Sequence, residues 1–349
     1  SMRGTVRLAA PPELDLAVKA EMDLGLLRAA LPEEHAIRSA SGPVQGSATI
    51  RGRVPDVQWQ AEVTLTEGVV TLRPLTHPLE HLRGTLRCSK TTLATDQLAF
   101  TYHEVPVELR AAVTEWLSIP LVESEIRAQD LTAKLLAVWR PDRLDVKEGS
   151  RLTLRGSTVE ARGEISWFDT GAIDLVLSGT ITPADLRHLP WVDLRMLHAW
   201  DIQGDLQFRV RAVGPRNDVA AMTLGGSVNA HDLRVRGVAV QALQLSIQQA
   251  DRRLVIETSR TVIAGGLVAG TSQVNHHEQP WSSLVTADVT GMDLAQVAAS
   301  VPAWKPRGVS GSASAHLMLS GERGSRASLR GEGWINATGE HFGNLPLLE

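Results

Sequence analysis

The stretch VQWQAEVTLT, residues 57–66, alternates between apolar and polar side chains without a break. A period of two residues places successive side chains on opposite faces of a β-sheet. Turn residues such as Glu67-Gly68 follow the stretch, and short turns between alternating strands are typical of an antiparallel meander. The pattern therefore predicts a strand in a mainly β fold. The same alternation begins again at Leu82, Val105, Val159, Leu206, Leu243 and Ala313.

The chain also repeats itself over longer distances. A strand that ends in an Asp-Leu pair recurs four times, and the aspartates are 107, 55 and 108 residues apart. A Gly-led strand recurs at Gly46, Gly204 and Gly311. Fixed periods of this size indicate an array of small units, none of which buries its apolar face alone. The Asp-Leu pairs begin at Asp23, Asp130, Asp185 and Asp293.

These markers predict the limits of the repeats. We expect residues 1–38 to end a preceding repeat, 39–143 to form a repeat unit and 144–200 a half-length unit. Residues 201–307 would form another repeat, and 308–349 the start of a further, truncated one. Ser1-Met2 is typical of a cloning remnant, and the last Gly-led unit stops about 40 residues after it begins. We therefore expect a fragment of a longer protein.

Short helices are predicted after the Asp-Leu markers. Each aspartate is placed to cap a helix, apolar residues follow at helical spacing, and Pro32, Pro141, Pro190 and Pro302 end the four segments. Residues 191–200 are a candidate for a fifth. The predicted fold class is mainly β: an elongated, curved antiparallel sheet that forms a repeating, taco-like β-groove, with a few short helices between repeats.

Composition excludes several classes of function. The formal net charge is −4, without long runs of one sign, so neither a nucleic-acid footprint nor a polybasic membrane patch is present. No stretch reaches 18 consecutive apolar residues, the length of a membrane-spanning helix. Cys88 is the only cysteine, so an internal disulfide is impossible. Cys88 is in phase with Leu82 and Leu86, which favours a small buried apolar residue over a nucleophile.

The sequence offers no catalytic or metal site. Asn275-His276-His277-Glu278 holds possible ligands, but adjacent histidines in a strand point in opposite directions, and a solvated loop is favoured. No G-x-S-x-G elbow fixes a nucleophile, and the Gly-Gly and Gly-Glu-Gly stretches lack the lysine of a phosphate loop. We therefore predict no enzyme, no cofactor and no metal. The tryptophans are interpreted as core or sheet-edge anchors.

A sheet with one apolar face must cover that face with a second sheet, with helices or with a ligand. The helices are too few, and the pattern alone does not choose between a sandwich and an open trough. We predict that Gln58, Gln60, Glu62, Arg209 and Arg211 face solvent. The residues predicted to line the groove are Trp59, Val63, Leu65, Leu109, Val113, Val159, Ile165, Trp167, Leu206, Phe208, Val210, Leu317 and Leu319.

The repeated unit resembles the AsmA-like superfamily of bacterial envelope proteins, which includes AsmA, TamB and YhdP relatives. The likeness rests on residues 46–72, on the HPLEHLRGTL phrase at 77–86, and on the strand-to-helix step at 289–294. Residues 329–335 and 345–348 are similar to the start of the family's C-terminal module. The resemblance implies a periplasmic β-groove, anchored at the inner membrane outside this fragment, that carries phospholipid toward the outer membrane.

Three non-enzymatic functions follow from this sequence. The first is a lipid-binding, bridge-like transport module whose apolar trough shields phospholipid acyl chains, with envelope proteins as possible partners at the ends of the full-length protein. The second is an assembly factor that pairs a strand edge with outer-membrane β-proteins. The third is an adhesin-like β-array. The smooth aliphatic surface favours the first, since apolar burial alone holds a lipid tail.

Overall fold

A computed structural model describes residues 1–7, 12–29, 37–72, 75–116, 118–166, 171–186, 201–277, 280–300, 308–322 and 326–339. Of the residues that it describes, 75% lie in strands and 7% in helices. The predicted fold class is confirmed, because the sheet is antiparallel, curved and unclosed and the helices are few and short. The chain divides into two compact units, Ser1–Thr153 and Leu154–Glu349. The predicted limits of the sequence repeats stay a prediction.

Within the part of the first unit that the structure describes, there are twelve strands and one short helix. Helix α1 is Leu24–Ala29. The strands are β1 Met2–Arg7, β2 Glu13–Asp23, β3 Ile37–Ser41, β4 Pro43–Arg53, β5 Asp56–Leu65, β6 Val69–Leu72, β7 Leu79–Ser89, β8 Thr92–Tyr102, β9 Val105–Thr114, β10 Leu121–Ala128, β11 Leu131–Trp139 and β12 Arg143–Leu154.

Most of these strands pair with their neighbours in the chain. The antiparallel order is β1-β2-β4-β5-β7-β8-β9-β10-β11. Strands β3 and β6 form a separate two-stranded ribbon, which β6 joins to β7 through Val70 and Leu79. Helix α1 follows the end of β2, and we call this side of the unit its helix rim. The opposite strand ends form its turn rim.

The described residues of the second unit form eleven strands and two short α-helices. Helix α2 is Pro183–Leu186, and helix α3 is Leu294–Ser300. The strands are β13 Ser157–Ser166, β14 Ala172–Ile181, β15 Ile202–Gln203, β16 Leu206–Pro215, β17 Thr223–Val235, β18 Val238–Ala250, β19 Arg253–Ile263, β20 Gly266–Asn275, β21 Ser282–Asp293, β22 Ser312–Glu322 and β23 Arg330–Thr338.

The second unit is also an antiparallel meander. Its order is β13-β14-β16-β17-β18-β19-β20-β21-β22-β23, and the two residues of β15 pair with β17. Helices α2 and α3 follow β14 and β21, which run in the same direction. Both helices therefore lie at one side of this unit, its helix rim, and the opposite strand ends form its turn rim.

The first Asp-Leu marker forms a hydrogen-bonded corner between β2 and α1. The Gly25 amide donates to Asp23 Oδ1 at 2.7 Å, as expected of an N-cap. The Leu24 amide donates to the Gly42 carbonyl at 2.8 Å. This bond joins the start of the helix to the residue between β3 and β4. A Cβ at Gly42 would lie 2.2 Å from the Glu67 carbonyl oxygen, so only glycine fits there.

The last Asp-Leu marker forms the same corner in the second unit. The Ala295 amide donates to Asp293 Oδ1 at 2.8 Å, and the Leu294 amide donates to the Gly311 carbonyl at 2.9 Å. A Cβ at Gly311 would lie 2.2 Å from the Thr338 carbonyl oxygen. The predicted aspartate caps are thus found at both the first and the last marker.

The other two markers do not behave as predicted. Leu131–Trp139, expected to be helical, is strand β11, because eight residue pairs with β10 outweigh its helical spacing. Asp185 lies inside α2 and caps nothing: the helix begins at Pro183, a residue suited to a first turn. Its Oδ2 instead accepts from Ser157 Oγ at 2.9 Å. The predicted helix at 191–200 lies outside the described residues.

Two neighbouring glycines of β17 provide a test of how closely the strands approach. A Cβ on Gly226 would lie 2.2 Å from the Arg209 carbonyl oxygen, whereas a Cβ on Gly225 would meet nothing within 4 Å. We expect Gly226→Ala to lower the free energy of unfolding by about 1–3 kcal/mol. Gly225→Ala should leave it within about 0.5 kcal/mol. Urea unfolding followed by circular dichroism measures both, and equal losses would contradict this packing.

Candidate functional site

The register of the first unit aligns its apolar side chains into rows that cross the strands. Such a row consists of residues that face one another on neighbouring strands. A central row crosses eight strands, a distance of about 34 Å at 4.8 Å per strand, and none of its side chains is charged. The row is Val18, Ala48, Ala61, Cys88, Leu93, Val113, Val122 and Ala137.

A second row runs on the same face nearer the helix rim. It also crosses eight strands and is also free of charge. Together the two rows define what we call the apolar face of the first unit. The second row is Met22, Val44, Leu65, Gly84, Leu98, Leu109, Ile126 and Ala133.

The second unit has an apolar face built in the same way. One of its rows crosses ten strands, or about 43 Å at the same spacing, without a charged side chain. Serine and glycine interrupt its aliphatic residues, so this face is less uniformly apolar than that of the first unit. The row is Ala161, Leu177, Val210, Gly226, Ile247, Ile256, Ser272, Val285, Leu319 and Gly331.

The structure places the residues predicted to line a groove within these faces. By register and alternation, Trp59, Val63, Leu65, Leu109 and Val113 share the apolar face of the first unit. On the face of the second unit lie Val159, Ile165, Leu206, Phe208, Val210, Leu317 and Leu319. Trp167 lies outside the described residues. Whether these side chains contact lipid stays a prediction.

Both apolar faces remain partly open to solvent. The described residues include no large side chain that is less than 2% exposed. Ile126 in the first unit is 38% exposed, and Leu317 in the second is 42% exposed. Side chains that are apolar, aligned and only half-buried leave a surface that an apolar ligand can cover.

The opposite face of each unit is polar. The residues predicted to face solvent, Gln58, Gln60, Glu62, Arg209 and Arg211, are exposed. Ion pairs link adjacent strands there: Arg87 contacts Glu62 at 3.4 Å and also contacts Asp96. In the second unit Arg211 pairs with Asp174 at 2.8 Å. Exposed pairs of this kind contribute little stability, but they keep the polar face hydrated.

The polar face of the first unit carries a depression of about 520 Å³ near the helix rim. Its wall includes His81, which contacts Glu67 at 2.7 Å, and Arg127, which pairs with Glu125 outside the depression. The side chains of His81, Glu67 and Arg127 are more than half exposed, and that of Glu125 is half-buried. The depression is therefore a concave part of a solvated charged surface.

No metal site or activated cysteine emerges from the described residues. None of them forms a group of three or more ligand side chains. His277 Nε2 lies 2.6 Å from the Asp251 carbonyl oxygen, and the His276 ring packs against Trp281, so His276 is less solvated than predicted. Glu278 lies outside the described residues. Burial raises the pKa of the Cys88 thiol, which disfavours the nucleophilic thiolate.

Sequence reasoning missed part of the apolar face. Leu93 and Leu98 of β8 share it even though a register shift separates them, which breaks the alternation in the sequence. Val122 of β10 lies in a strand that mixes apolar and charged residues. Trp116 follows β9, and its indole Nε1–H donates to the Ser89 carbonyl at 2.9 Å. Cross-strand pairing places Leu93, Leu98 and Val122 beside the predicted residues, and the path of the segment after β9 places Trp116 there.

Comparison with protein-family models, with curated proteins and with solved structures gave no match. In the described part of the chain, no helix has both the length and the apolar character needed to cross a membrane. The resemblance to the AsmA-like superfamily thus rests on the sequence motifs alone.

At the turn rim of the first unit, the buried carboxylate of Asp145 connects β12 with the segment that follows β11. Asp145 Oδ2 accepts from Arg140 Nε at 2.7 Å, and Asp145 Oδ1 accepts from Arg143 Nε at 2.9 Å. The hydrogen bond from Arg140 is the main reason why the pKa of Asp145 is lowered, and Arg143 adds to it. The charged form of Asp145 is therefore stabilised in the folded chain.

This pairing predicts a pH-dependent stability. Because the folded-state pKa lies below the unfolded value of about 3.9, Asp145 stabilises the fold above that pH and ceases to do so as pH falls through the folded pKa. Asp145→Asn should cost about 1–2 kcal/mol at pH 7 and much less near pH 2.5. Urea unfolding at both pH values measures this. Asp142→Asn is the exposed control, and an equal loss at both pH values would refute the assignment.

Proposed function

We propose that this chain is a lipid-binding module whose apolar faces shield phospholipid acyl chains from water. The observation that supports this most is the alignment of uncharged side chains into rows across eight strands of one unit and ten of the other. Each row is longer than one leaflet of acyl chains, which spans about 15 Å, half of the hydrocarbon core of a bilayer. A bound tail would therefore meet only apolar or small side chains.

The energetics of such a surface favour movement as well as binding. Burial of each methylene contributes about 0.8 kcal/mol, whatever its position along a row. The central row of the first unit offers Val, Ala, Leu and Cys, which differ little in polarity. A tail that shifts from one strand to the next exchanges similar contacts. The surface can thus hold a tail without fixing it at one site, as bridge-like lipid transport requires.

The cellular setting of the proposal comes from the sequence resemblance. The AsmA-like superfamily implies a periplasmic groove whose parent protein is anchored at the inner membrane and leads toward the outer membrane. On this proposal the partner of the apolar faces is a phospholipid. Envelope proteins would be the partners at the ends of the full-length protein.

One observation favours the alternative of strand-edge pairing. Strand β23 pairs with β22, and in the described part of the chain it has no second strand partner. Its Trp334 and Ile335 are exposed. A free edge with apolar side chains can accept a strand from another protein. This proposal places the functional surface at β23 and leaves the apolar faces without a role.

Two adjacent positions of β9 distinguish these proposals. Val113 lies in the central apolar row between Leu93 and Val122, whereas Ala112 faces Ala94 and Glu123 on the polar side. Val113→Arg places a charge on the path of a tail, and we expect about tenfold less phospholipid to be retained after incubation with vesicles. Ala112→Arg should retain as much lipid as the parent. Mass spectrometry of the repurified protein measures the bound lipid.

Circular dichroism of both variants shows whether the arginine has disturbed the sheet. If folded Val113→Arg retains as much phospholipid as Ala112→Arg, the apolar face is not the binding surface. A crosslinker at Val113 or Val210 that captures protein and no lipid would favour the edge-pairing function instead.

A further inference from the structure

The two rims of the apolar face in the first unit differ in how they are covered. At the helix rim, the chain folds back over the face and buries its side chains. At the turn rim lie the segments 54–55, 90–91, 115–116, 118–120 and 140–142, between consecutive strands. The two ends of the face therefore differ, so that a lipid with one polar end can bind in one defined orientation.

The helix rim is covered by protein at the ends of β2 and β5 and at the starts of β4 and β7. Val44, Leu65, Val70 and Leu82 form a buried cluster there, and Val44 is only 2% exposed. The β3–β6 ribbon contributes Ile37, Ala40 and Leu72 to the same cluster, and α1 contributes Leu24. A polar group placed at this end would have to enter a dry core, which is costly.

The turn rim carries the three tryptophans of the first unit. Trp59 belongs to the row Leu16-Ile50-Trp59, the next row of the apolar face toward this rim. The Trp116 ring lies 6.3 Å from the Trp59 ring and perpendicular to it. Trp139, the last residue of β11, is on the same face by alternation and is 50% exposed. No other tryptophan occurs in this unit.

The same rim also carries charges of both signs. Lys90 and Glu115 are exposed in the segments that follow β7 and β9, and Arg140 and Asp142 lie in the segment that follows β11. From the middle of the sheet to this rim, the side chains are therefore first aliphatic, then indole rings and finally charged. A membrane shows the same sequence from its hydrocarbon core to its interface, where tryptophan places its apolar ring beside a polar layer.

We infer that the turn rim is where the polar end of a bound phospholipid projects, with the ester region beside Trp59, Trp116 and Trp139 and the tails on the rows toward the helix rim. This inference rests on the proposed function and adds an orientation to it. Trp139, which is half-exposed, is the residue placed best to contact that region.

The second unit repeats the arrangement independently. At its helix rim, Leu294 and Ala298 of α3 form a buried cluster with Val309. At its turn rim, Trp281 lies 4.3 Å from the His276 ring, edge to face. A buried cluster at the helix rim and a tryptophan at the turn rim thus occur in both units. The orientation follows from the way the fold is built and not from one residue.

Photocrosslinking with two phospholipid probes tests the orientation. One probe is a phosphatidylcholine with a diazirine in the head group, and the other carries the diazirine at the tail end. The whole chain is loaded with each probe from vesicles, irradiated and digested, and adducts are located by mass spectrometry. We expect the head-group probe to label residues 90–91, 115–116, 118–120 and 139–142. The tail probe should label the rows instead.

Each other outcome overturns the inference in a recognisable way. Head-group adducts at the helix rim, in the turns at 103–104 and 129–130, would reverse the orientation and leave lipid binding intact. Equal labelling of both rims would show that no orientation exists. No adduct with either probe would overturn the inference together with the proposed function.

Variants of the rim give a second measurement. Trp139→Ala should reduce phospholipid retention about threefold to tenfold, the factor that corresponds to the free energy of one aromatic contact. Trp139→Phe keeps an aromatic ring and should reduce retention less. Tyr102→Ala, at the end of β8 on the helix rim, is the matched control and should change retention less than twofold. Equal effects of Trp139→Ala and Tyr102→Ala, both with unchanged circular dichroism, would contradict a special role for the turn rim.

Discussion

The rest of this structure depends on the registration of neighbouring strands. Alternation alone gives each strand one apolar and one polar side, but only the cross-strand pairing makes these sides continuous. Val113 lies opposite Leu93 on one neighbour and Val122 on the other, so apolar residues of three strands meet at this position. A shift by one residue at any pair would bring charges onto the apolar face. The rows, the two faces and the proposed function are all consequences of this registration.

Much of the fold is predictable from the sequence, since a strict period of two needs no tertiary information. The alternation of residues 57–66 places Trp59, Val63 and Leu65 on one face, and β5 has this arrangement. The interpretation of Leu131–Trp139 as a helix is wrong because its spacing fits both structures, and pairing with β10 decides between them. The Gly-led pattern of the sequence begins at Gly46 in the first unit, and the glycine that accepts the hydrogen bond of the corner is Gly42.

The candidate site is less predictable than the fold. Sequence periodicity identifies residues such as Leu109 and Phe208 one strand at a time, but it does not reveal which strands lie side by side. Register shifts in β8 and at the start of β7 interrupt the alternation, so Leu93 and Leu98 escape a search for a pattern. Trp116 lies outside any strand, and its place beside Trp59 depends on the path of the segment that carries it.

The half-open apolar faces also affect how the chain responds to temperature. The heat-capacity change of unfolding is set by the apolar surface that becomes hydrated, typically about 12–15 cal/mol/K per residue. In this chain much of that surface is already hydrated before unfolding, because no large side chain among the described residues is fully buried. The heat-capacity change per residue is then small, and the stability curve is broad and shallow. A bound lipid would dry the faces and make the curve narrower and taller.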